Sequence, residues 1–125
     1  MVVTVHMKKT PLIYHRAYDI PLPKKHRFSG SKYSKLMKLL ESDGLMKSFL
    51  KYTPKPATAA QLSIVHEVNY LQAVESGNLS KQHEKRIGLP WSEVLKKRSF
   101  VAANGTLLTA QLALQTGIAC HAAGG

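Results

Sequence analysis

A long helical pattern that leads directly into a short apolar segment is the feature that most constrains this fold. Ser92 is a typical helix N-cap residue, and apolar residues recur at heptad spacing from there to about Gln115. Gly117 then ends the helix, and residues 118–123 are too short and too apolar for an exposed helix, so we predict a buried strand. A helix that feeds a buried strand is typical of α/β proteins. The heptad positions are Val94, Val101 and Leu108.

Shorter elements are predicted before the long helix. We expect a strand at 10–15 and helices at 31–43, 68–76 and 80–86. Thr58 and Gln61 form a capping box, which predicts a helix that carries Leu62 and Val65 inward. Small residues make the long helix slim, so we expect its axis to approach a sheet closely. They are Ala102, Ala103, Gly105, Ala110 and Ala113.

The cysteine count and the hydropathy pattern exclude several classes of protein. A single cysteine among 125 residues forms neither an internal disulfide nor a zinc-thiolate site, so we expect a cytoplasmic protein. No apolar run approaches the roughly 20 residues that span a bilayer, and the first residues make a poor signal peptide. We therefore expect no membrane partner.

The charge is strongly positive and unevenly distributed. The formal net charge is +11, of which residues 1–62 supply +9, with 12 basic and 3 acidic side chains. Two interpretations remain open. The lysines form a solvated face, or the segment Lys24–Lys38 makes the chain a small basic module that binds the phosphates of RNA or DNA.

The residues taken alone contain no complete catalytic set. His66-Glu67 resembles the start of a zinc-protease helix, but Tyr70 stands where the second histidine belongs. Cys120 lies within the apolar strand and is expected to be a core residue. Arg27 follows a proline-rich loop, where its guanidinium is either a surface charge or a buried anion clamp. We predict no catalytic residue and no metal ligand in this chain.

Many separate short motifs nevertheless occur in a familiar order and spacing. Together they resemble the N-terminal part of bacterial histone deacetylase-like proteins, and the resemblance extends from residue 11 to the end of the chain. The motifs include Leu12–His15, Tyr18, His26–Phe28, Lys32-Tyr33, Val65-His66, Tyr70-Leu71, Arg86–Ser92, Arg98-Ser99, Gly105–Leu107 and Ala122–Gly125.

The resemblance implies a fold and an activity. The fold would be the N-terminal part of an arginase/deacetylase-type three-layer α/β fold with a parallel sheet, helix-rich in these residues. Family members use zinc to hydrolyse the amide of acetyl-lysine, acetylated polyamines or related acyl amides. In relatives a pair of histidines follows the Ala-Gly-Gly stretch. Residues 1–125 would therefore form a partial domain that ends before the His-His and zinc-ligand motifs and is inactive alone.

The resemblance assigns a role to three residues of this sequence. Arg27 matches an arginine that lines an internal channel and holds the acetate product, while Gly124 and Gly125 match the backbone turn that presents the histidine pair. A partial sheet would leave an edge open. We therefore expect self-association or a partner chain that supplies the rest of the domain.

Overall fold

The fold is built on a three-stranded parallel sheet in the order β2-β1-β3. The computed structural model describes residues 8–123. Strand β1 spans Thr10–Ile13, β2 spans Phe49–Tyr52 and β3 spans Cys120–His121. Leu12 of the central strand aligns with Lys51 on one side and with Cys120 on the other. Because all three strands are parallel, their carboxyl ends lie at one edge of the sheet.

Helices supply most of the regular structure. Several begin and end as the local sequence dictates: Thr58 and Gln61 form the predicted capping box, and Gly77 ends one helix with φ of 78°. Two single-turn 3₁₀ helices lie at Arg16–Tyr18 and Met46–Ser48. The α-helices are α1 (Lys32–Ser42), α2 (Ala59–Leu62), α3 (Val68–Ser76), α4 (Lys81–Ile87) and α5 (Glu93–Thr116).

The core contains two clusters of buried residues. Leu12 and Ala122 pack with Met37 of α1. In the other cluster, Ala123 packs with Val101 of α5 and with Tyr18 and Tyr33. Helix α5 also contacts β1 and β3 directly. Helices α1 and α5 thus pack against the sheet, and the predicted α/β class with a parallel sheet is confirmed.

Two local predictions differ from the structure, and one strand was missed. Helix α2 ends at Leu62, which leaves Val65 76% exposed instead of directed inward. Of the heptad positions of α5, Val101 is fully buried, whereas Val94 is 42% exposed. The predicted strand at 118–123 has only two residues, Cys120 and His121, in ladder pairing. Strand β2 was not predicted. Within residues 8–123, no helix combines the length and apolar character needed to span a membrane.

Candidate functional site

A partly buried cluster of polar and aromatic side chains lies at the carboxyl ends of β1 and β3. Tyr18 comes from the 3₁₀ turn after β1, Tyr33 from the first turn of α1, Arg98 from α5 and His121 from β3 itself. Tyr18 is fully buried and Tyr33 is 4% exposed. Ligands of open α/β sheets bind at this edge, so the cluster lies where a functional site is expected.

Tyr18 and His121 form the centre of this cluster. The hydroxyl of Tyr18 lies 2.7 Å from Nε2 of His121, and the two rings meet edge to face with centroids 5.4 Å apart. The other ring nitrogen of His121, Nδ1, lies 3.5 Å from the hydroxyl of Thr106 on α5. The pair therefore links the segments after β1 and in β3 to the long helix.

Desolvation determines the protonation states of this pair. Burial raises the pKa of Tyr18 to about 12, although the charge of Arg98 acts against that shift. Burial, and then the positive charge of Arg98, lower the pKa of His121 below its usual value. At neutral pH the phenol is protonated and the imidazole is neutral, so the hydrogen bond joins two uncharged groups.

Gly105 allows α5 to approach this hydrogen bond. A Cβ at Gly105 would overlap the Tyr18 hydroxyl and lie 2.5 Å from Nε2 of His121. Gly105 is buried within a helix, where glycine costs about 0.5–1 kcal/mol relative to alanine. The predicted close approach of a slim helix to the sheet is thus confirmed at one position, and its reason is the Tyr18–His121 pair.

Arg98 ties together the backbone around the cluster. Its Nε donates to the carbonyl of Tyr18 at 2.9 Å, and one terminal nitrogen donates to the Tyr33 hydroxyl at 2.9 Å and to the carbonyl of Ala123 at 3.4 Å. One guanidinium thus connects the segment after β1, the start of α1 and the residue that precedes Gly124. Hydrogen bonds from a charged donor are stronger than those between neutral groups, so Arg98 holds the backbone at this edge in a fixed position.

Of the sequence-predicted site residues, Arg27 lies in the part of the chain that the structure describes. Arg27 is exposed in the loop before α1, next to His26, whose Nδ1 accepts a hydrogen bond from the amide of Phe28. Gly124 and Gly125 lie outside the described residues. The role of Arg27 in a product channel stays a prediction, as does that of the two glycines in the loop.

The sequence motifs contained Tyr18 and Arg98 but not His121, and they gave no sign that these three residues interact. Tyr18 and Arg98 are 80 positions apart, and Tyr18 and His121 are 103 positions apart. No local spacing rule connects residues at such separations. The sequence did contain one signal, Gly105 within a helix, which indicates a close approach but does not identify the partner.

The cluster does not have the composition of a metal site. Among residues 8–123, no group of three or more histidine, cysteine, aspartate or glutamate side chains is close enough to hold a metal ion. The partners of His121 are a phenol and a hydroxyl, which are poor zinc ligands. Zinc does not fit the residues described here, and the cluster is a hydrogen-bonded support instead.

Comparison with known proteins identifies the family. Residues 26–125 match the histone deacetylase domain family. An uncharacterized protein from Picosynechococcus is 44% identical over 115 residues, which cover 92% of this chain and 38% of that protein. Histone deacetylase 2 of Arabidopsis thaliana is 29% identical over 130 residues, which cover 97% of this chain and 34% of that protein. The chain thus spans between 34% and 38% of the length of these curated relatives. Because the matched domain covers most of its residues, the chain belongs to the histone deacetylase domain family.

Proposed function

We propose that this chain forms the N-terminal framework of a zinc-dependent amidohydrolase that removes acyl groups from amide nitrogen. The substrate class that the family resemblance favours is acetyl-lysine, acetylated polyamines or related acyl amides. We expect the reaction to take place in the reducing environment of the cytoplasm. The observation that carries the proposal is the contact of Arg98 with Tyr18, Tyr33 and Ala123 at the carboxyl edge of the sheet.

These contacts support a framework role because they fix the backbone next to Gly124 and Gly125. The Ala123 carbonyl, which Arg98 binds, directly precedes Gly124 and Gly125, the residues that match the loop presenting the family's histidine pair. A reacting group must be held closely in position for efficient catalysis, and residues that fix its backbone supply that order. Arg98 would therefore position the loop without touching the substrate.

Arg27 is the residue of this chain that the proposal places nearest to the chemistry. By resemblance, its guanidinium would hold the acetate product in a channel, with two parallel N–H donors directed at the carboxylate. Its exposed position leaves the guanidinium free to face a further part of a complete domain. In this proposal Gly124 and Gly125 supply backbone that passes close to the substrate.

The proposal also predicts how the 125-residue polypeptide behaves alone. The zinc ligands and the proton-transferring histidines belong, by resemblance, to residues that follow Gly125 in relatives. We therefore expect the isolated polypeptide to bind no stoichiometric zinc and to release no acetate from an acetyl-lysine peptide. Metal analysis and an acetate-release assay measure both. Tight zinc binding or metal-dependent turnover by the pure polypeptide would contradict this part of the proposal.

A chimera tests the framework role directly. This chain replaces the matching segment of the Picosynechococcus relative, which is 44% identical, and the intact relative serves as the reference. We expect both proteins to hold zinc and to release acetate from an acetyl-lysine peptide. A zinc-loaded chimera without the turnover of the intact relative would disprove the framework role. Absence of turnover in both proteins would disprove deacylation of acetyl-lysine.

A matched pair of variants of the chimera tests Arg27. Arg27→Ala is expected to reduce kcat at least tenfold, because acetate loses its bidentate partner. Arg16→Ala removes another exposed arginine before α1 and is expected to leave kcat within about twofold. Equal effects of the two substitutions would remove Arg27 from the product channel.

A further inference from the structure

The segment between Ile20 and Leu40 carries basic side chains and no carboxylate. Its six basic residues are Lys24, Lys25, Arg27, Lys32, Lys35 and Lys38. Among residues 8–123, the ion pair that forms within 4 Å is Lys96–Glu93, far from this segment in the chain. Asp19, the nearest acidic residue before the segment, already accepts a hydrogen bond from the amide of Ser34. The charge of the segment is therefore not neutralised by carboxylates of the described chain.

The structure brings basic residues from two parts of this segment to one cleft. The loop before α1 contributes Lys24 and His26, and α1 contributes Lys35. The cleft has a volume of about 380 Å³. A backbone hydrogen bond of 2.8 Å from the amide of Ile20 to the carbonyl of Gly30 closes the loop at its base. The convergence of loop and helix cations is a property of the fold that the sequence alone does not show.

Helix α1 extends this positive surface. Lys32, Lys35 and Lys38 are exposed and recur every three residues, so they span about 9 Å along the helix axis. The opposite side of the helix is occupied by the core, since Tyr33 and Met37 are buried. The outward side of α1 therefore presents lysines at intervals of about one turn.

From these observations we propose that Lys24, Lys25, Lys32, Lys35 and Lys38, together called the basic face, bind the phosphodiester backbone of nucleic acid. This function goes beyond the proposed deacylase framework and does not depend on it. Lysine ammonium groups act as point charges towards phosphates, and phosphate contacts carry no sequence information. Binding is therefore expected to be independent of base sequence.

The aromatic residue beside the basic face does not favour base recognition. The ring of Phe28 has the Lys32 ammonium 4.9 Å and the Arg98 guanidinium 5.8 Å from its centroid. Cations thus already lie against this ring, which leaves it poorly placed to stack on a base. Phosphates and not bases are the expected contacts.

An anionic membrane surface fits the observations less well than nucleic acid. Peripheral membrane helices bury a wide apolar side in the lipid, whereas the large apolar residues on the inner side of α1 are used in the core. The exposed apolar residues of α1 are two leucines, Leu36 and Leu39, which are 42% and 56% exposed. A concave cleft with cations on two of its walls suits a strand of phosphates better than a flat bilayer.

Fluorescence anisotropy with a labelled 20-nucleotide single-stranded RNA of mixed sequence tests the proposal. For five phosphate contacts on a single strand, log K should fall with log salt with a slope of about −3.5. The triple variant Lys32→Gln, Lys35→Gln, Lys38→Gln is expected to bind at least tenfold more weakly at 50 mM salt. It should also lose about 2 units of that slope, because each lost phosphate contact removes about 0.7.

A matched variant separates a defined surface from net charge. The substitutions Lys81→Gln, Lys85→Gln and Lys97→Gln remove the same three charges at exposed positions of α4 and α5. Binding by this variant is expected to stay within about threefold of the parent. Circular dichroism of both variants confirms folding. Equal weakening by the two triple variants, or no binding at 50 mM salt by the parent chain, would overturn the proposal.

The leucines distinguish nucleic acid from lipid. The double variant Leu36→Ser, Leu39→Ser leaves the lysines in place, so RNA binding should be unchanged within about twofold. Vesicles containing phosphatidylserine are added as a competing surface. Displacement of RNA by these vesicles that disappears in the double leucine variant would reassign the basic face to a membrane and overturn the proposal.

Discussion

Tyr18 and His121 are joined by a hydrogen bond of 2.7 Å, although 103 positions separate them in the chain. The bond lies between the 3₁₀ turn after β1 and strand β3, and Gly105 of α5 lies directly against it. This arrangement makes the packing of α5 on the sheet sensitive to a single methyl group. A Cβ at Gly105 would clash with Tyr18 and His121, which belong to two other elements, so little relaxation is available.

Gly105→Ala is therefore expected to destabilise the chain by about 1–3 kcal/mol, because the new Cβ overlaps the Tyr18 hydroxyl. At an ordinary glycine in a helix interior, the same substitution stabilises the protein, since alanine there is about 0.5–1 kcal/mol more favourable than glycine. Urea unfolding measures the change. In a Tyr18→Phe background the hydroxyl is absent, and the alanine should cost less. A stabilising Gly105→Ala would contradict the observed packing.

Arg98→Met is expected to lower the free energy of unfolding by about 2–3 kcal/mol. The substitution removes three hydrogen bonds of a charged donor and leaves the carbonyls of Tyr18 and Ala123 without that partner. Arg98→Lys keeps the charge but not the planar group, so it should restore only part of the loss. The neighbouring exposed lysine is the control, and Lys97→Met should stay within about 0.5 kcal/mol. Equal losses at both positions would show that Arg98 has no special structural role.

Stability is expected to fall as the pH drops below about 6.5. Burial and then Arg98 lower the pKa of His121, and burial followed by Lys97 and Arg16 lowers that of His15. The unfolded chain therefore binds protons at a pH where the folded chain does not. The contribution is present above the unfolded pKa of about 6.5 and is lost as the pH falls through the folded pKa.

Urea midpoints between pH 8 and pH 5 measure this dependence. His121→Asn should flatten the profile, because asparagine does not titrate. A parent profile that is flat from pH 8 to pH 5 would show that neither His121 nor His15 is coupled to folding.

Elements whose ends depend on neighbouring residues could be predicted from the sequence. Helix α3 has the predicted limits, Val68–Ser76, because Gly77 supplies the left-handed residue that ends it. The capping box of Thr58 and Gln61 was found for the same reason. The helix that follows it is shorter than predicted, since Val65 has no partner in the core and stays exposed.

Elements that depend on distant partners could not be predicted in the same way. Strand β2 has four residues, two of them exposed, and exists because Phe49–Tyr52 pair with β1 some 39 positions earlier in the chain. Its hydrophobic pattern is too short to stand out. The hydrogen bonds of Arg98 depend even more on distant residues, because they join positions that are 25 to 80 residues apart in the chain. The resemblance included Arg98 and its partners Tyr18, Tyr33 and Ala123, and only the fold shows that they meet.

Two glycines in the same backbone conformation provide a matched test of the packing around Trp91. Gly77 ends α3 with φ of 78° and Gly88 ends α4 with φ of 76°. Alanine at either position costs about 1–2 kcal/mol for the left-handed conformation. A Cβ at Gly77 would also lie 3.0 Å from the Trp91 ring, whereas a Cβ at Gly88 has no atom within 4 Å among the described residues.

Gly77→Ala is therefore expected to cost about 1 kcal/mol more than Gly88→Ala. Trp91 has little freedom to move away, because its Nε1 donates to the carbonyl of Val74 at 2.7 Å. Urea unfolding measures the difference. Since Trp91 is the single tryptophan of the chain, its fluorescence reports the same displacement, with a shift of emission in Gly77→Ala and none in Gly88→Ala. Equal costs and unchanged emission in both variants would mean that Trp91 does not pack on the end of α3.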